Sequence, residues 1–371
     1  MKMWVWVIYI IIYAWSSNVR SDDVDAGCFK PIKNSLTHLG VFNDVKFING
    51  FFRVVDSNGF VLSSKDGKTW LLNAIDRYGL NSIFWNGEKY IVTDSSKEIF
   101  VSDDLKSWNI IDLSLIGGGN SHIDKVFIHN NNYYLLDSSE RNMSLIMEYW
   151  GVSYNKRGMF SLDESKIHSD ERFFYGDDIY NLNKGGLIPA SRDVMMFDDK
   201  FYLLTRGRGV YISGNLEEWK YMGGKKQPRG YSQSLTHNKS VIVSVGDFGY
   251  ISTSSDYAKN WKVQKLNTEA DLYDVIWDGK EFIAVGNCGT VAKSKNGYDW
   301  SFKSTGKSDF YTSIAYNGET YMIVGAGSGE KKFSKIIGKM RQRVFISVDG
   351  EAWEDYTDKV LDLYRNSEFS H

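Results

Sequence analysis

The side chains that could do chemistry in this chain are arginines, tyrosines and carboxylates spread over its whole length. Cleavage of a glycosidic bond needs two facing carboxylates, or a tyrosine nucleophile with a glutamate and with arginines that hold an acidic substrate. Arg53 lies in the segment FFRVV, inside a predicted strand, and is expected to be solvated. The 6 histidines form no pair at metal-ligand spacing, and no nucleophile elbow, P-loop or zincin motif occurs. The sequence therefore predicts no catalytic residue, no metal ion and no cofactor.

Other arginines and tyrosines fall in loops that a repeated all-β chain would bring to one face. Both residue types are good contact residues at binding surfaces. The alternative is that the aromatic rings pack between neighbouring repeats while the charges are solvated. The candidates for a binding face are Arg77, Tyr78, Arg206, Arg208, Arg229, Tyr231, Tyr273 and Tyr311.

Tryptophans mark a repeat along most of the chain. Six of them close similar segments, and Trp150, which ends MSLIMEYW, is a degenerate seventh. The intervals between consecutive members are 38, 42, 69, 42, 39 and 53 residues, so two intervals carry insertions. A unit of about 40 residues is typical of a propeller or a solenoid. The six clear segments are SSKDGKTW, VSDDLKSW, ISGNLEEW, SSDYAKNW, AKSKNGYDW and ISVDGEAW.

Each unit also contains a predicted β-hairpin. An Asn or Asp, often followed by Gly, precedes most of these tryptophans by 21 to 23 residues, as at Asn49, Asn86 and Asp278. Such pairs accept the positive φ of tight two-residue turns, and β-branched and aromatic runs flank them. Four antiparallel strands per unit, repeated radially, predict an all-β, seven-bladed β-propeller with four-stranded antiparallel blades. Six or eight blades are the alternatives.

The tryptophan segments have a structural explanation. In S-x-[DN]-G-x-x-W, the Asp or Asn side chain can accept backbone N–H groups, the Ser hydroxyl can close the loop, and the Trp can pack between blades. Metal binding by the Asp residues is the weaker alternative, because they lie on different blades and calcium needs several oxygen ligands in one loop. The structural residues are Ser64, Asp66, Trp70, Asp104, Trp108, Trp219, Asp256, Trp261, Asn296, Trp300, Asp349 and Trp353.

With these residues, the chain resembles the Asp-box (BNR) repeat proteins over about residues 38 to 357. The repeat unit is most similar to the photosystem II assembly factor and sortilin-like branches of a superfamily that also contains sialidases and xyloglucan-active glycosidases. The resemblance implies a propeller with its Asp boxes at the blade periphery. It does not imply one function, because the superfamily spans enzymes, receptors and assembly factors.

The ends of the chain differ from the repeat region. Lys2 and the apolar run from Met3 to Trp15 predict a signal peptide over residues 1–17, because the run is too short to span a bilayer as a helix; an uncleaved anchor is the alternative. Residues 18–37 form an N-terminal segment that could supply a closure strand, residues 38–358 the propeller, and residues 359–371 a C-terminal tail. Cys28 and Cys288 could pair in the oxidising compartment that export implies.

The net charge of the chain and the positions of its two insertions indicate which kind of partner it binds. The 44 Lys and Arg residues against 46 Asp and Glu residues give a net charge of −2, which argues against nucleic acid. Insertions around 154–190 and 327–343 are expected on the same face as the binding candidates. The sequence thus predicts an exported, secreted or periplasmic module, soluble after signal removal, that recognises a protein or a glycan. A sialidase-like glycosidase and a structural envelope component are the alternatives.

Overall fold

A computed structural model describes most of the predicted repeat region. The described residues are 41–75, 77–94, 98–112, 123–129, 132–137, 159–163, 191–205, 209–216, 219–222, 232–304, 309–328 and 340–366. The predicted signal peptide, the predicted N-terminal segment 18–37 and most of the two predicted insertions lie outside these ranges.

The chain folds into a β-propeller in which six blades have four strands each. Within each blade consecutive strands pair antiparallel, from an inner first strand to an outer fourth strand. The strands are β1 Phe42–Ile48, β2 Phe51–Asp56, β3 Phe60–Ser64 and β4 Leu71–Ala74 in blade I; β5 Leu80–Trp85, β6 Tyr90–Asp94, β7 Glu98–Ser102 and β8 Asn109–Asp112 in blade II; β12 Ser191–Phe197, β13 Lys200–Thr205, β14 Gly209–Ser213 and β15 Lys220–Tyr221 in blade III; β16 Ser232–His237, β17 Ile242–Gly246, β18 Tyr250–Ser254 and β19 Lys262–Lys265 in blade IV; β20 Leu272–Trp277, β21 Phe282–Gly286, β22 Thr290–Ser294 and β23 Ser301–Ser304 in blade V; β24 Phe310–Tyr316, β25 Tyr321–Ser328, β26 Met340–Ser347 and β27 Glu354–Asp355 in blade VI.

The prediction of seven four-stranded blades is wrong. Between blades II and III the described residues form a three-stranded sheet of β9 Ile123–His129, β10 Asn132–Asp137 and β11 Met159–Asp163. The predicted count assigned one blade to each tryptophan, Trp150 included. In the four-stranded blades the tryptophan follows the third strand, as Trp70 follows β3, whereas Trp150 precedes β11 in the chain and its segment lacks the Ser-x-Asp/Asn pattern. Trp150 itself lies outside the described residues.

The middle strands form the core of each blade. Every residue of β6, β17 and β21 is buried, because these strands are covered by a neighbouring blade on each face. Between blades I and II, for example, Val55 and Val61 share one apolar cluster with Ile83, Val92 and Phe100. The predicted hairpins lie between the first and second strands, where Asn49 and Gly50 have φ values of 51° and 74°. Such values suit Asn and Gly in tight turns.

Among the described residues, the ring closes between blade VI and blade I without a shared strand. All four strands of blade VI come from residues 310–355, and its outer position is filled by β27. The contact with blade I is made by β24 against β1, where the Thr312 hydroxyl donates to the Phe42 carbonyl oxygen at 2.6 Å.

A C-terminal helix, α1 Thr357–Asn366, covers this seam. It begins inside the predicted propeller region and continues into the predicted tail. Its Val360, Leu363 and Tyr364 pack into the cluster that contains Phe60 of blade I and Met322 of blade VI. No helix among the described residues has the length and apolar character needed to cross a bilayer.

Candidate functional site

The two ends of the propeller carry different loops. Because the strands alternate in direction, the connections between second and third strands and between blades lie at one end, which we call the mouth. The first-to-second hairpins and the tryptophan turns between third and fourth strands lie at the other end, the turn face. The mouth is where the sequence places its binding candidates.

A ring of polar side chains lines the channel just below the mouth. Each inner strand has a register irregularity near its start. The residue directly after this irregularity is an aspartate, a serine or a lysine. The residue after that one is apolar in every inner strand. We call this set the channel ring: Asp44, Ser82, Lys125, Asp193, Ser234, Asp274 and Ser313.

Hydrogen bonds connect most neighbours in the channel ring. Ser313 lies 3.0 Å from an oxygen of Asp44 and 2.9 Å from an oxygen of Asp274. Ser234 likewise lies 3.2 Å from Asp274 and 2.9 Å from Asp193, so each serine shares its hydroxyl proton between the carboxylates of two blades. A serine hydroxyl between a buried carboxylate, Asp44 or Asp193, and the half-buried Asp274 links the blades at the channel wall.

The two remaining contacts extend this network. Lys125 pairs with Asp193 at 2.7 Å, and Ser82 donates to Asp44. The backbone N–H groups of Leu235 and Ile314 also donate to Asp193 and Asp274, at 3.0 Å and 3.1 Å. The carboxylates are thus satisfied by charge-assisted bonds, which are stronger than bonds between neutral groups.

Lys46 is a cation that this ring holds in the channel. It lies two residues after Asp44 on β1, with its ammonium nitrogen 3.3 Å from an Asp44 oxygen and its side chain 37% exposed. Burial alone would lower the pKa of Lys46, but the negative charges of Asp44, Asp274 and Asp193 raise it above its ordinary value. Burial alone would raise the pKa of Asp44, but Lys46 and the two serine hydroxyls hold it lower. The channel therefore presents a permanent positive charge inside a ring of carboxylates.

Close backbone packing fixes the mouth loops of blades V and VI. A Cβ on Gly286 would meet the carbonyl oxygen of Asp271 at 2.0 Å, and one on Gly325 would meet that of Phe310 at 1.9 Å. The Asn287 side chain accepts from the Asp271 N–H at 2.7 Å, and Arg343 pairs with buried Asp309 at 3.0 Å. These loops are rigid supports for whatever the mouth contacts.

The structure separates the predicted binding candidates into exposed and buried residues. Tyr78 is 77% exposed, and its neighbour Arg77 pairs with Glu98 at 2.8 Å. Tyr273 packs edge-on against Phe310 at 4.7 Å, and Tyr311 is buried against Phe345. Both tyrosines thus pack between blades V and VI, and this burial raises their pKa values. Arg206, Arg208, Arg229 and Tyr231 lie outside the described residues.

Phe248 is a mouth residue that the sequence reasoning missed. It sits in a 3-10 turn of Asp247–Gly249 between β17 and β18, is 43% exposed and has a φ of 57°. Its N–H donates to the Asp271 carboxylate at 2.8 Å, which ties the turn to the next blade. The signal was the segment VGDFGY, whose aromatic residue between Asp and Gly is typical of an exposed turn.

Arg53 is buried, contrary to the expectation of a solvated residue. Its guanidinium donates to the Ser63 hydroxyl and, at 3.0 Å, to the Tyr90 hydroxyl of blade II, and it lies 4.4 Å from the centre of the Phe51 ring. The physical reason is that β2 is a middle strand, so its polar side chain must find partners between two blades.

On the turn face, the Ser hydroxyl accepts a backbone N–H in the tryptophan turns of all six four-stranded blades, whereas the bond from the Trp Nε1 to a turn carbonyl occurs at Trp70, Trp219, Trp261 and Trp300. In the first, the Gly67 N–H donates to the Ser64 hydroxyl at 2.8 Å, the Lys68 and Thr69 N–H groups donate to Asp66 at 2.8 and 2.9 Å, and Trp70 Nε1 donates to the Gly67 carbonyl at 2.9 Å. Equivalent Ser and Asp or Asn contacts occur at the other five turns, which contain Asp104, Trp108, Asn215, Trp219, Asp256, Trp261, Asn296, Trp300, Asp349 and Trp353.

The carboxylates of these turns are tuned by backbone donors. N–H groups of Ala352 and Glu351 lower the pKa of Asp349 to about 2, and equivalent bonds lower the pKa values of Asp66 and Asp104. Within the described part of the chain, no three His, Cys, Asp or Glu side chains come together as a metal site would require. The turn carboxylates act on their own loops.

Comparison with known proteins identifies the architecture. No protein-family model matches the chain, and no curated protein matches its sequence. Similar solved structures include "YCF48 bound to D1 peptide", which is 15% identical with a TM-score of 0.56 over 77% of this chain and 89% of that chain. YCF48 from Cyanidioschyzon merolae is 14% identical with a TM-score of 0.54 over 78% and 93%. The WD40 β-propeller domain of Doa1 is 12% identical with a TM-score of 0.53 over 79% and 94%. At these identities the similarity shows the β-propeller fold alone.

Proposed function

We propose that this chain is an exported β-propeller that binds a protein partner through its mouth. The observation that carries the proposal is the exposure of Tyr78 and Phe248 on mouth loops, whereas the other candidates Tyr273 and Tyr311 are used for packing. Exposed aromatic side chains on rigid supports are good anchors for a protein partner. Export is supported by the apolar run from Met3 to Trp15.

Two further observations favour a protein partner. The mouth combines both signs of charge, with Arg77 and Glu98 between blades I and II and with Asp247 and Asp271 beside Phe248. One similar solved propeller is described as YCF48 bound to D1 peptide, so this architecture accommodates a peptide ligand. A glycan is the second class of partner, and the experiment below separates the two.

The test is affinity capture from the native envelope or medium with three versions of the mature chain. The mouth variant carries Tyr78→Ser and Phe248→Asn, since Asn tolerates the positive φ of position 248. The control carries Val348→Ser, which removes a 78% exposed apolar side chain from the turn face. We expect the parent and the control to recover the same protein, and the mouth variant to recover at least about tenfold less.

Two results would contradict the proposal. Equal recovery by all three versions would place the binding site away from these aromatic residues. Binding to a glycan array that the mouth variant loses, without any recovered protein, would assign the mouth to a carbohydrate.

A further inference from the structure

A groove on the turn face, between blades III and IV, has a different character from the mouth. It has a volume of about 620 Å³ and lies against β13, β15 and the tryptophan turn between β18 and β19. Lys200 and Tyr202 come from β13, Lys220 from β15, and Tyr257 and Lys259 from the turn. Because four separate segments of two blades build it, with Ile212 and Ser213 of β14 as the fourth, the groove is a product of the tertiary structure. We call it the lysine groove.

The lysine groove concentrates positive charge. Among the described residues, no carboxylate lies within ion-pair distance of Lys200, Lys220 or Lys259. The nearby Asp256 carboxylate already accepts from Ser254 and from the N–H of Asn260 at 2.9 and 2.8 Å. Glu217 and Glu218 lie outside the described residues. The three ammonium groups thus form no ion pair among the described residues, although the negative charge of Asp198 acts on Tyr202 beside them.

A second, independent feature is the hydroxyl of Tyr202. The Tyr202 side chain is fully buried and lines the groove, and its oxygen has no hydrogen-bond partner among the described residues. Buried tyrosine hydroxyls are normally hydrogen-bonded, because an unpaired polar atom is costly. This oxygen is closed to solvent, so a carboxylate in the groove would accept its hydrogen bond once the side chains that cover it move aside.

The rest of the groove fits a peptide. Trp219, Tyr257 and Met222 provide apolar surface beside the lysines. The outer strand β15 is paired only with β14 in the described residues, so its other edge has backbone groups available to an added strand. Peptides commonly bind by adding a strand to such an edge.

We propose that the lysine groove binds an acidic peptide segment, with a carboxylate of the peptide on the Tyr202 hydroxyl and further carboxylates near the three lysines. The site is separate from the mouth and does not depend on the function proposed for it. Binding is dominated by charge and apolar contact, so its affinity falls as salt is raised.

The test measures fluorescence anisotropy of a labelled peptide that alternates glutamate with leucine, beside a peptide that alternates lysine with leucine. The groove variant carries Lys200→Gln, Lys220→Gln and Lys259→Gln. The control variant carries Lys68→Gln, Lys106→Gln and Lys280→Gln, which removes the same charge from exposed positions on other blades. We expect the acidic peptide alone to bind, with a dissociation constant about tenfold or more weaker for the groove variant and within about twofold of the parent for the control.

The variant Tyr202→Phe distinguishes binding in the lysine groove from nonspecific electrostatic attraction between the acidic peptide and the protein surface. We expect it to weaken peptide binding several-fold without lowering the melting temperature, because the hydroxyl removed has no partner among the described residues. The proposal is overturned if the parent does not bind the acidic peptide at low salt, or if the groove and control variants lose affinity equally. Stronger binding of an acidic polysaccharide than of the peptide, lost in the groove variant, would also overturn it. The mouth variant Tyr78→Ser with Phe248→Asn should bind the peptide normally, so failure of either proposal is read independently.

Discussion

The seam between blades VI and I differs from an ordinary junction such as that between blades IV and V, although both use the same bond. At the ordinary junction Ser234 bridges Asp193 and Asp274, and at the seam Ser313 bridges Asp274 and Asp44. Blades IV and V are joined by a short loop, whereas Ser313 and Asp44 are 269 residues apart in the chain. Closing so long a loop costs conformational entropy that the short loop does not. The seam has extra packing from α1, which the ordinary junction lacks.

The contacts of α1 show how the seam is reinforced. Its Tyr364 ring packs edge-on against Phe60 at 5.0 Å, and the Tyr364 hydroxyl donates to the Asp56 carboxylate at 2.9 Å. Gln342 of blade VI also donates to Asp56, at 3.4 Å. Blade I thus receives contacts from both α1 and blade VI at a single buried carboxylate. The serine–aspartate hydrogen bonds of the channel ring are thus found at both junctions. Helix α1 is the additional contact that reinforces closure at the seam.

Removal of α1 should have the largest effect. A chain that ends at Tyr356 loses the buried Val360 and the packing of Leu363 and Tyr364, roughly 4–6 kcal/mol of apolar burial. We expect a fall in melting temperature of about 5–8 °C, measured by calorimetry. A chain that ends at Asn366 is the control and should melt like the parent. Equal melting of both truncations would show that the ring bonds alone close the seam.

The next largest effect is expected from the two bridging serines. Ser313→Ala and Ser234→Ala each leave buried carboxylate oxygens with fewer donors and should each cost about 1–3 kcal/mol in urea unfolding. With α1 present we expect equal losses. In the chain that ends at Tyr356, Ser313→Ala should cost more than Ser234→Ala, because contacts that share an interface couple. Equal losses in the truncated chain would mean that α1 and the seam serine act independently.

Asp56 should give the seam a pH dependence. Burial raises the pKa of Asp56 to about 6, despite the N–H bonds from Phe60 and Asn58. Because the folded pKa lies above the unfolded value, its stabilisation is full below about pH 4 and is lost as pH rises through about 6. Asp56→Asn should remove this fall with pH. Because the amide nitrogen cannot accept the hydrogen bonds that Tyr364 and Gln342 donate to the carboxylate, the variant should be less stable than the parent at acidic pH, and the difference should shrink as pH rises through about 6. Parallel pH profiles for variant and parent would contradict the assignment.

Asp349, on the turn face of blade VI, should show the opposite sign and the smallest effect. Its pKa is lowered to about 2, so its stabilisation is present above its unfolded pKa and is lost as pH falls towards 2. Asp349→Asn should flatten the melting temperature in this acidic window and leave it unchanged near neutral pH, where Asn accepts the same N–H bonds as Asn296 does in blade V. A loss confined to neutral pH would show that the charge itself matters.

Much of the repeat could be predicted from the sequence because its hairpins and turns are formed by residues close together in the chain. The β-propeller fold predicted from the hairpins and tryptophan segments is confirmed by the structure and its structural neighbours. Hairpins with Asn49 or Asp278 and turns with Asp66 or Asp349 are set by residues within a few positions of each other. Their geometry follows from turn preferences and side chain to backbone bonds, which do not depend on the rest of the molecule.

The tertiary structure alone decided the number of four-stranded blades, the channel ring and the seam. It also decided which aromatic residues are exposed and which are buried. In the chain, Trp150 precedes the third strand of its sheet, whereas the tryptophans of the four-stranded blades follow the third strand. Tyr78 and Tyr273 are both predicted binding-face residues, yet Tyr78 is 77% exposed in a loop, whereas Tyr273 lies in β20 and packs against Phe310. Asp44 and Ser313 meet across nearly the whole chain. Burial and long-range pairing depend on which blades become neighbours, and a repeat read along the sequence contains no information about the surfaces that meet when the ring closes.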